Sequence, residues 1–152
     1  MQDYRRGSQW RRWDLHVHTP ETKKNDMFFG RTSEDKWNAF YSDIEKYIGD
    51  GTDPVKAIAA IGITDYLSID NYIKVKADKK LPKCIDLLLP NIEMRISVTA
   101  HDSPVNIHFI FDPAFDNYIE SRFLANLKFS YPNNGCFSAT KSELIRLGKA
   151  YD

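Results

Sequence analysis

Two histidines separated by a single residue are the first feature of this sequence that could do chemistry. His16 and His18 lie in the segment WDLHVHT, where Leu15 and Val17 supply the period-two alternation of a strand. On a strand both imidazoles point to one face, roughly 6–7 Å apart, and from there two neutral rings can bind one cation. The alternative is a pair of structural strand histidines, because such pairs also arise by chance.

A glutamate and a third histidine occur further along, again in apolar segments. Glu93 lies in LLLPNIEMRI and His108 lies in VNIHFIF. Because a buried carboxylate is costly unless it is paired or coordinated, Glu93 could bridge two cations or form an ion pair with Arg95. Arg95 could instead face a substrate phosphate. A lone core histidine is more often structural, but its occurrence together with the other three residues predicts a shared metal site.

The segment IGITDY, residues 61–66, is a third place where a buried strand ends in polar side chains. Asp65 could bind metal or orient a ligand, or it could be only a loop or helix-capping carboxylate. Tyr66 could donate a hydrogen bond to a phosphate, or it could be a packed aromatic. Lys23 and Lys24, in the polar loop after the first strand, could neutralise that phosphate.

The elements that must position these side chains alternate between strand and helix. The patterns predict strands over 13–19, 58–64, 85–96 (interrupted at Pro90) and 105–111, and helices over 32–48, 68–80, 116–127 and from Thr140 onward. Thr140 and Glu143 form a predicted capping box for the last helix. Strands that are apolar on both faces are typical of a mostly parallel sheet wrapped by helices, open or closed into a barrel, with ligands collecting at the strand C-termini.

Composition and charge indicate which partners and which location the sequence favours. The chain has 152 residues, enough for one domain, and its 21 basic and 21 acidic side chains cancel. Net charge therefore gives no argument for nucleic acid or an anionic membrane as a partner. Cys84 and Cys136 form no paired motif, and no apolar run is long enough to cross a bilayer. We expect a cytoplasmic protein.

Taken in order, the segments DLHVHT, GITDY, the strand with Glu93 and the strand with His108 resemble the PHP (polymerase and histidinol phosphatase) superfamily. The resemblance implies a distorted (β/α)7 barrel that hydrolyses phosphoesters at the C-terminal ends of its strands. It also implies one or two divalent cations (zinc, manganese or iron), with Glu93 between His16 and His18 on one side and His108 on the other. The implied metal ligands are His16, His18, Asp65, Glu93 and His108, and the implied catalytic residues are Glu93, Asp65, Arg95 and Tyr66.

The segments GSQWRRWDLHVHTPET, ITDYLSID and LLLPNIEMRI are similar to one branch, the N-terminal PHP domain of TrlF-like proteins with an AAA or SMC-type ATPase region. This similarity implies that residues 1–152 are a single PHP-like domain cut at its C-terminal side. The implied partners are the ATPase region and a phosphoester substrate, with nucleic acid or a nucleotide as candidates.

The sequence departs from the family pattern in its second motif and after its last histidine. Tyr66 stands where the family usually has a histidine, and no histidine lies between His18 and His101. The family's later ligands would follow His108, and none does in this chain. The fragment alone is therefore expected to be inactive or weakly active. The alternative function is a catalytically degenerate PHP module that binds metal or nucleotide and regulates the ATPase.

Overall fold

The computed structural model describes residues 11–22, 26–100, 103–131 and 135–150. Lys23 and Lys24, which were predicted to neutralise a phosphate, lie outside these ranges, and so does His101. No helix in the described part of the chain combines the length and the apolar character that a membrane span requires.

The main sheet has four strands in the order β1-β2-β3-β4: β1 (Trp13–His18), β2 (Ala60–Tyr66), β3 (Leu87–Ala100) and β4 (Ser103–Ile110). Strands β1, β2 and β3 run parallel, whereas β4 runs antiparallel to β3. The sheet is mixed and curled, and over the described residues it forms half of a barrel.

The predicted (β/α)7 barrel is therefore wrong. Ala100 at the end of β3 pairs with Ser103 at the start of β4, which leaves no room for the crossover of a dozen or more residues that a parallel strand requires. The chain consequently turns straight back along β3. Pro90 does not interrupt β3, because it pairs with Ile63 of β2 in an unbroken register.

Four helical regions accompany the strands. They are α1 (Ser33–Ile48), α2 (Asp70–Asp78), a region of short segments containing α3 (Asp116–Tyr118), and α4 (Lys141–Lys149). Thr32 caps α1 in a reciprocal capping box with Asp35, where each side chain accepts the other residue's backbone N–H. The first helix was therefore predicted within one residue at its start.

The predicted helix over 116–127 is broken into pieces. Segments Pro113–Phe115 and Leu124–Asn126 are 3-10 turns, and Ile119–Phe123 is a π-type turn. The predicted capping box of the last helix is also wrong, because Thr140 makes no side-chain cap bond. Glu143 instead pairs with Arg146 one turn later.

A two-stranded antiparallel hairpin, β5 (Lys128–Tyr131) with β6 (Gly135–Ser138), was not predicted. Four-residue strands are too short for alternation to be distinguished from loop sequence. Phe137 of this hairpin is buried beside Phe129, and Arg146 of α4 lies over its ring.

The two faces of the main sheet have different partners. One face carries Ile61, Ile63 and Ile92, all at most 1% exposed, and it packs against the helices and the hairpin. Successive residues of a strand project to opposite faces, so the other face carries Thr64, Asn91 and Glu93 and the residues in register with them. The apolar face holds the core, and the polar face holds the candidate site.

Candidate metal centre

Strand register brings the predicted ligands together. Residues paired across neighbouring strands project to the same face of a sheet. His18 pairs with Thr64, Tyr66 pairs with Glu93, and Glu93 pairs with His108. The end of β1, the end of β2 and the middle of the β3–β4 pair therefore converge on the polar face.

A β-bulge in β1 directs His16 into the same place. The register with β2 shifts by one residue between Asp14 and Val17, so Leu15 and His16 together oppose Gly62. A Cβ atom on Gly62 would lie 2.4 Å from the Leu15 carbonyl oxygen, so the backbone of the bulge occupies the space of that side chain. A bulge bends its strand and re-aims a side chain, which here is His16.

Three potential ligand atoms converge at the centre. The Nε2 atoms of His16 and His18 are 3.1 Å apart, and each lies 3.5 Å from Oε2 of Glu93. The Glu93 side chain is 1% exposed, and none of the described residues donates a hydrogen bond to its Oε2. A buried carboxylate oxygen without a donor is unfavourable, so this geometry calls for a positive charge between the three atoms.

His108 approaches from the opposite side. Its ring centroid lies 4.4 Å from that of His16 in an edge-on arrangement. Ligand atoms of His16, Glu93 and His108 all lie within 4.8 Å of one another. We call His16, His18, Glu93 and His108 the ligand cluster.

The other oxygen of Glu93 is already bonded. Oε1 accepts a hydrogen bond of 2.8 Å from the Tyr66 hydroxyl and one of 2.6 Å from Nδ2 of Asn106. Burial, and then the hydrogen bond to Glu93, raises the pKa of Tyr66, an effect that the nearby Arg95 opposes. Tyr66 therefore keeps its proton, and Oε2 is the oxygen that remains for a cation.

His18 is held in the form that binds metals. Burial, followed by the neighbouring His16, lowers the pKa of His18, and together they outweigh the opposing effect of Glu93. The ring is consequently neutral at neutral pH, as an imidazole ligand must be.

Asp65 lies next to the ligand cluster but is bonded elsewhere. Its Oδ1 accepts hydrogen bonds from the Thr22 hydroxyl and the Tyr66 backbone N–H, and its Oδ2 accepts one from the Asn71 amide. Asn71 also donates to the Pro20 carbonyl oxygen. Asp65 thus connects the loop after β1 to the start of α2.

Replacing Asp65 with alanine is expected to lower the free energy of unfolding by about 1–3 kcal/mol, because Thr22 and Asn71 lose a buried acceptor. Zinc affinity is expected to change little. Urea unfolding and a zinc competition titration measure the two effects, with Asp65→Asn as a control that keeps one acceptor oxygen. Loss of zinc affinity without loss of stability would instead make Asp65 a ligand.

Tyr66 and Arg95 lie beside Glu93 on the polar face of the sheet. Arg95 is exposed and follows Glu93 on the same face of β3. A groove of about 450 Å³ lies next to the site, and among the described residues Tyr66 lines both. Leucine and isoleucine side chains of α4 also line the groove.

Three residues that shape or support the ligand cluster were not predicted from the sequence: Gly62, Asn91 and Asn106. Gly62 carried a readable signal, because a glycine inside an apolar strand often marks a bulge or a close backbone approach. The two asparagines carried none, since their roles depend on which strands become neighbours.

No protein family, curated protein or solved structure matches the chain in the comparisons made.

Proposed function

We propose that this chain is a PHP-type, metal-dependent phosphoesterase domain. The observation that carries the proposal is the convergence of two imidazole Nε2 atoms on Oε2 of Glu93, at separations of 3.1 to 3.5 Å. Among the described residues, none donates a hydrogen bond to this oxygen. Such separations suit three ligand atoms that bind one cation, each at about 2.0–2.2 Å from it. Imidazole and carboxylate together suit zinc, manganese or iron.

One cation is favoured over two. A carboxylate that bridges two ions with one oxygen for each needs both oxygens free, whereas Oε1 of Glu93 already accepts from Tyr66 and Asn106. We therefore propose that His16, His18 and Oε2 of Glu93 hold the ion, with His108 as the fourth ligand. The resemblance to the family implied a bridging Glu93, and the bonded Oε1 argues against it.

The remaining residues have roles toward a phosphoester. A divalent cation, when bound, lowers the pKa of a coordinated water and stabilises negative charge on phosphoryl oxygens. Arg95, exposed beside the cluster, orients and neutralises the phosphate. Tyr66 and Asn106 keep Glu93 in place through Oε1, so that Oε2 stays directed at the imidazoles.

The test is phosphatase and nuclease assay, with zinc or manganese, of a longer protein that contains this chain. We expect hydrolysis of bis(4-nitrophenyl) phosphate or single-stranded DNA to fall at least about 100-fold in His16→Ala and His18→Ala. Loss of a residue that only supports a metal ligand costs about 10–100-fold, so loss of a ligand itself should cost at least as much. Asn38→Ala, at an exposed position of α1, is the control. Activity unchanged in both histidine variants would contradict the proposal.

A regulatory module is the second candidate, and Tyr66 favours it. Its hydroxyl donates a hydrogen bond to Oε1 of Glu93, so this oxygen is not free to bind a second ion. In this version the domain binds metal or nucleotide and regulates an attached ATPase in the cytoplasm. Zinc binding without turnover of any phosphoester, in a protein that includes the ATPase, would support this candidate over the enzyme.

A further inference from the structure

A buried amide side chain connects all four strands beneath the ligand cluster. Asn91 of β3 is 1% exposed. Its Nδ2 donates to the Leu15 carbonyl of β1 at 2.7 Å and to the Thr64 hydroxyl of β2 at 2.9 Å. Nδ1 of His108 on β4 lies 3.2 Å from Nδ2 and 3.3 Å from Oδ1 of the same amide.

Counting donors decides which atom of Asn91 bonds to His108. A primary amide nitrogen has two N–H groups, and Leu15 and Thr64 take both. An amide nitrogen cannot accept a hydrogen bond, so the Thr64 hydroxyl oxygen is the acceptor from Asn91. The hydroxyl proton remains for the Leu15 or Gly62 carbonyl oxygen, each 3.5 Å away. The Nδ2 group therefore has no proton left for His108.

The amide cannot be turned around. Exchanging its nitrogen and oxygen would place an amide oxygen 2.7 Å from the Leu15 carbonyl oxygen, and two acceptors cannot bond. Oδ1 of Asn91 consequently accepts from an Nδ1–H group of His108. With its proton on Nδ1, neutral His108 presents the lone pair of Nε2.

The same amide bonds to the bulge that carries His16. The Leu15 carbonyl belongs to the two residues that oppose Gly62, and it is a direct acceptor for Asn91. His16 follows Leu15 immediately in the chain. One side chain on β3 is therefore bonded both to the backbone before His16 and to the ring of His108.

We propose that Asn91 is a positioning residue for the cation site: it holds the β1 bulge that carries His16, and it fixes His108 as the Nδ1–H tautomer with Nε2 available as a ligand. Only the second half of this role, the use of that Nε2 by a cation, rests on the proposed function. Groups that fix the tautomer of a ligand histidine commonly affect metal affinity 10–100-fold.

The primary test reads the tautomer in metal-free protein. Two-bond ¹H–¹⁵N correlation spectra of the folded parent at pH 8, with the His108 signals assigned from a His108→Gln variant, are expected to show Nδ1–H. Asn91→Leu removes the acceptor and is expected to convert His108 largely to Nε2–H. A residue that merely held strands together would leave the tautomer unchanged. An Nε2–H parent, or an unchanged tautomer in folded Asn91→Leu, would overturn the proposal.

A second variant keeps the test decisive if Asn91→Leu does not fold. Asn91→Asp retains an acceptor for His108 but loses both N–H donors, so it is expected to keep the Nδ1–H tautomer; an Nε2–H tautomer here would also overturn the proposal. Asn38→Leu, at an exposed site, is the matched control and should change nothing.

Metal titration separates this proposal from the proposed function. Zinc affinity is expected to fall 10–100-fold in Asn91→Leu and to stay unchanged in Asn38→Leu. Equal affinity in Asn91→Leu and the parent would overturn the positioning role. A parent that binds no zinc would overturn the proposed function, while the tautomer measurement would still decide whether Asn91 sets the proton position of His108.

Discussion

Replacing Glu93 with glutamine is expected to lower zinc affinity by more than about 100-fold, beyond the usual loss for a supporting residue. Glutamine has the same size, and its oxygen can still accept from Tyr66 and Asn106 at the Oε1 position. The amide nitrogen would then take the position of Oε2, 3.5 Å from Nε2 of each of the two histidines. An amide NH₂ group has no lone pair available for a cation. Competition titration against a zinc chelator measures this loss.

Stability should change in the opposite direction to affinity. In the metal-free parent, the buried Oε2 of Glu93 has no hydrogen-bond donor within the described part of the chain, whereas an amide N–H there can donate to an imidazole nitrogen. The free energy of unfolding of metal-free Glu93→Gln is therefore expected to rise, by on the order of 1 kcal/mol. Glu45→Gln, on the exposed side of α1, is the control for loss of charge. Unchanged zinc affinity in Glu93→Gln would remove Glu93 from the set of ligands.

Replacing Gly62 with alanine is expected to cost ~3 kcal/mol of unfolding free energy, the upper end of ordinary overpacking. The added Cβ would lie 2.4 Å from the oxygen, 2.8 Å from the carbonyl carbon and 2.9 Å from the Cα of Leu15. All three are backbone atoms, so no change of side-chain rotamer relieves the overlap. The bulge must move, and His16 with it, so zinc affinity is expected to fall together with stability.

Gly148→Ala is the matched control for this substitution. A Cβ at Gly148 meets nothing within 4 Å, and alanine is the better helix former, so stability should rise by less than about 1 kcal/mol and zinc affinity should not change. Urea unfolding of both variants, with and without zinc, makes the comparison. A Gly62→Ala protein with parental stability and zinc affinity would show that the bulge does not require glycine.

Local signals in the sequence predicted the parts of the fold that depend on neighbouring residues. Helix α1 was predictable because Thr32 and Asp35 form its capping box and its apolar side chains recur at helical spacing. The members of the ligand cluster were predictable as candidates because histidines and a glutamate are unusual inside apolar strands. Both inferences depend on short stretches of chain.

The direction of β4 and the hydrogen bonds around the ligand cluster could not be predicted in this way, because they depend on contacts between residues distant in the chain. Val105 to Phe111 has the same apolar pattern whether β4 runs parallel or antiparallel, and the short connection to β3 decided the direction. Asn91 appeared to be an ordinary polar residue beside Pro90, because its partners Leu15 and Thr64 are distant in the chain. The number of cations that Glu93 can bind could not be predicted either, because it depends on hydrogen bonds from Tyr66 and Asn106, which lie on neighbouring strands.

The antiparallel pairing of β3 with β4 also has a kinetic consequence. Glu93, Asn106 and His108 belong to one hairpin, a unit that closes within about 1–10 μs. His16 and His18 join it only when β1 docks, a non-local step of the kind that limits folding rates. All of the ligand atoms thus come together only after this non-local pairing has formed, so a bound ion would prolong the lifetime of the native chain without hastening its formation.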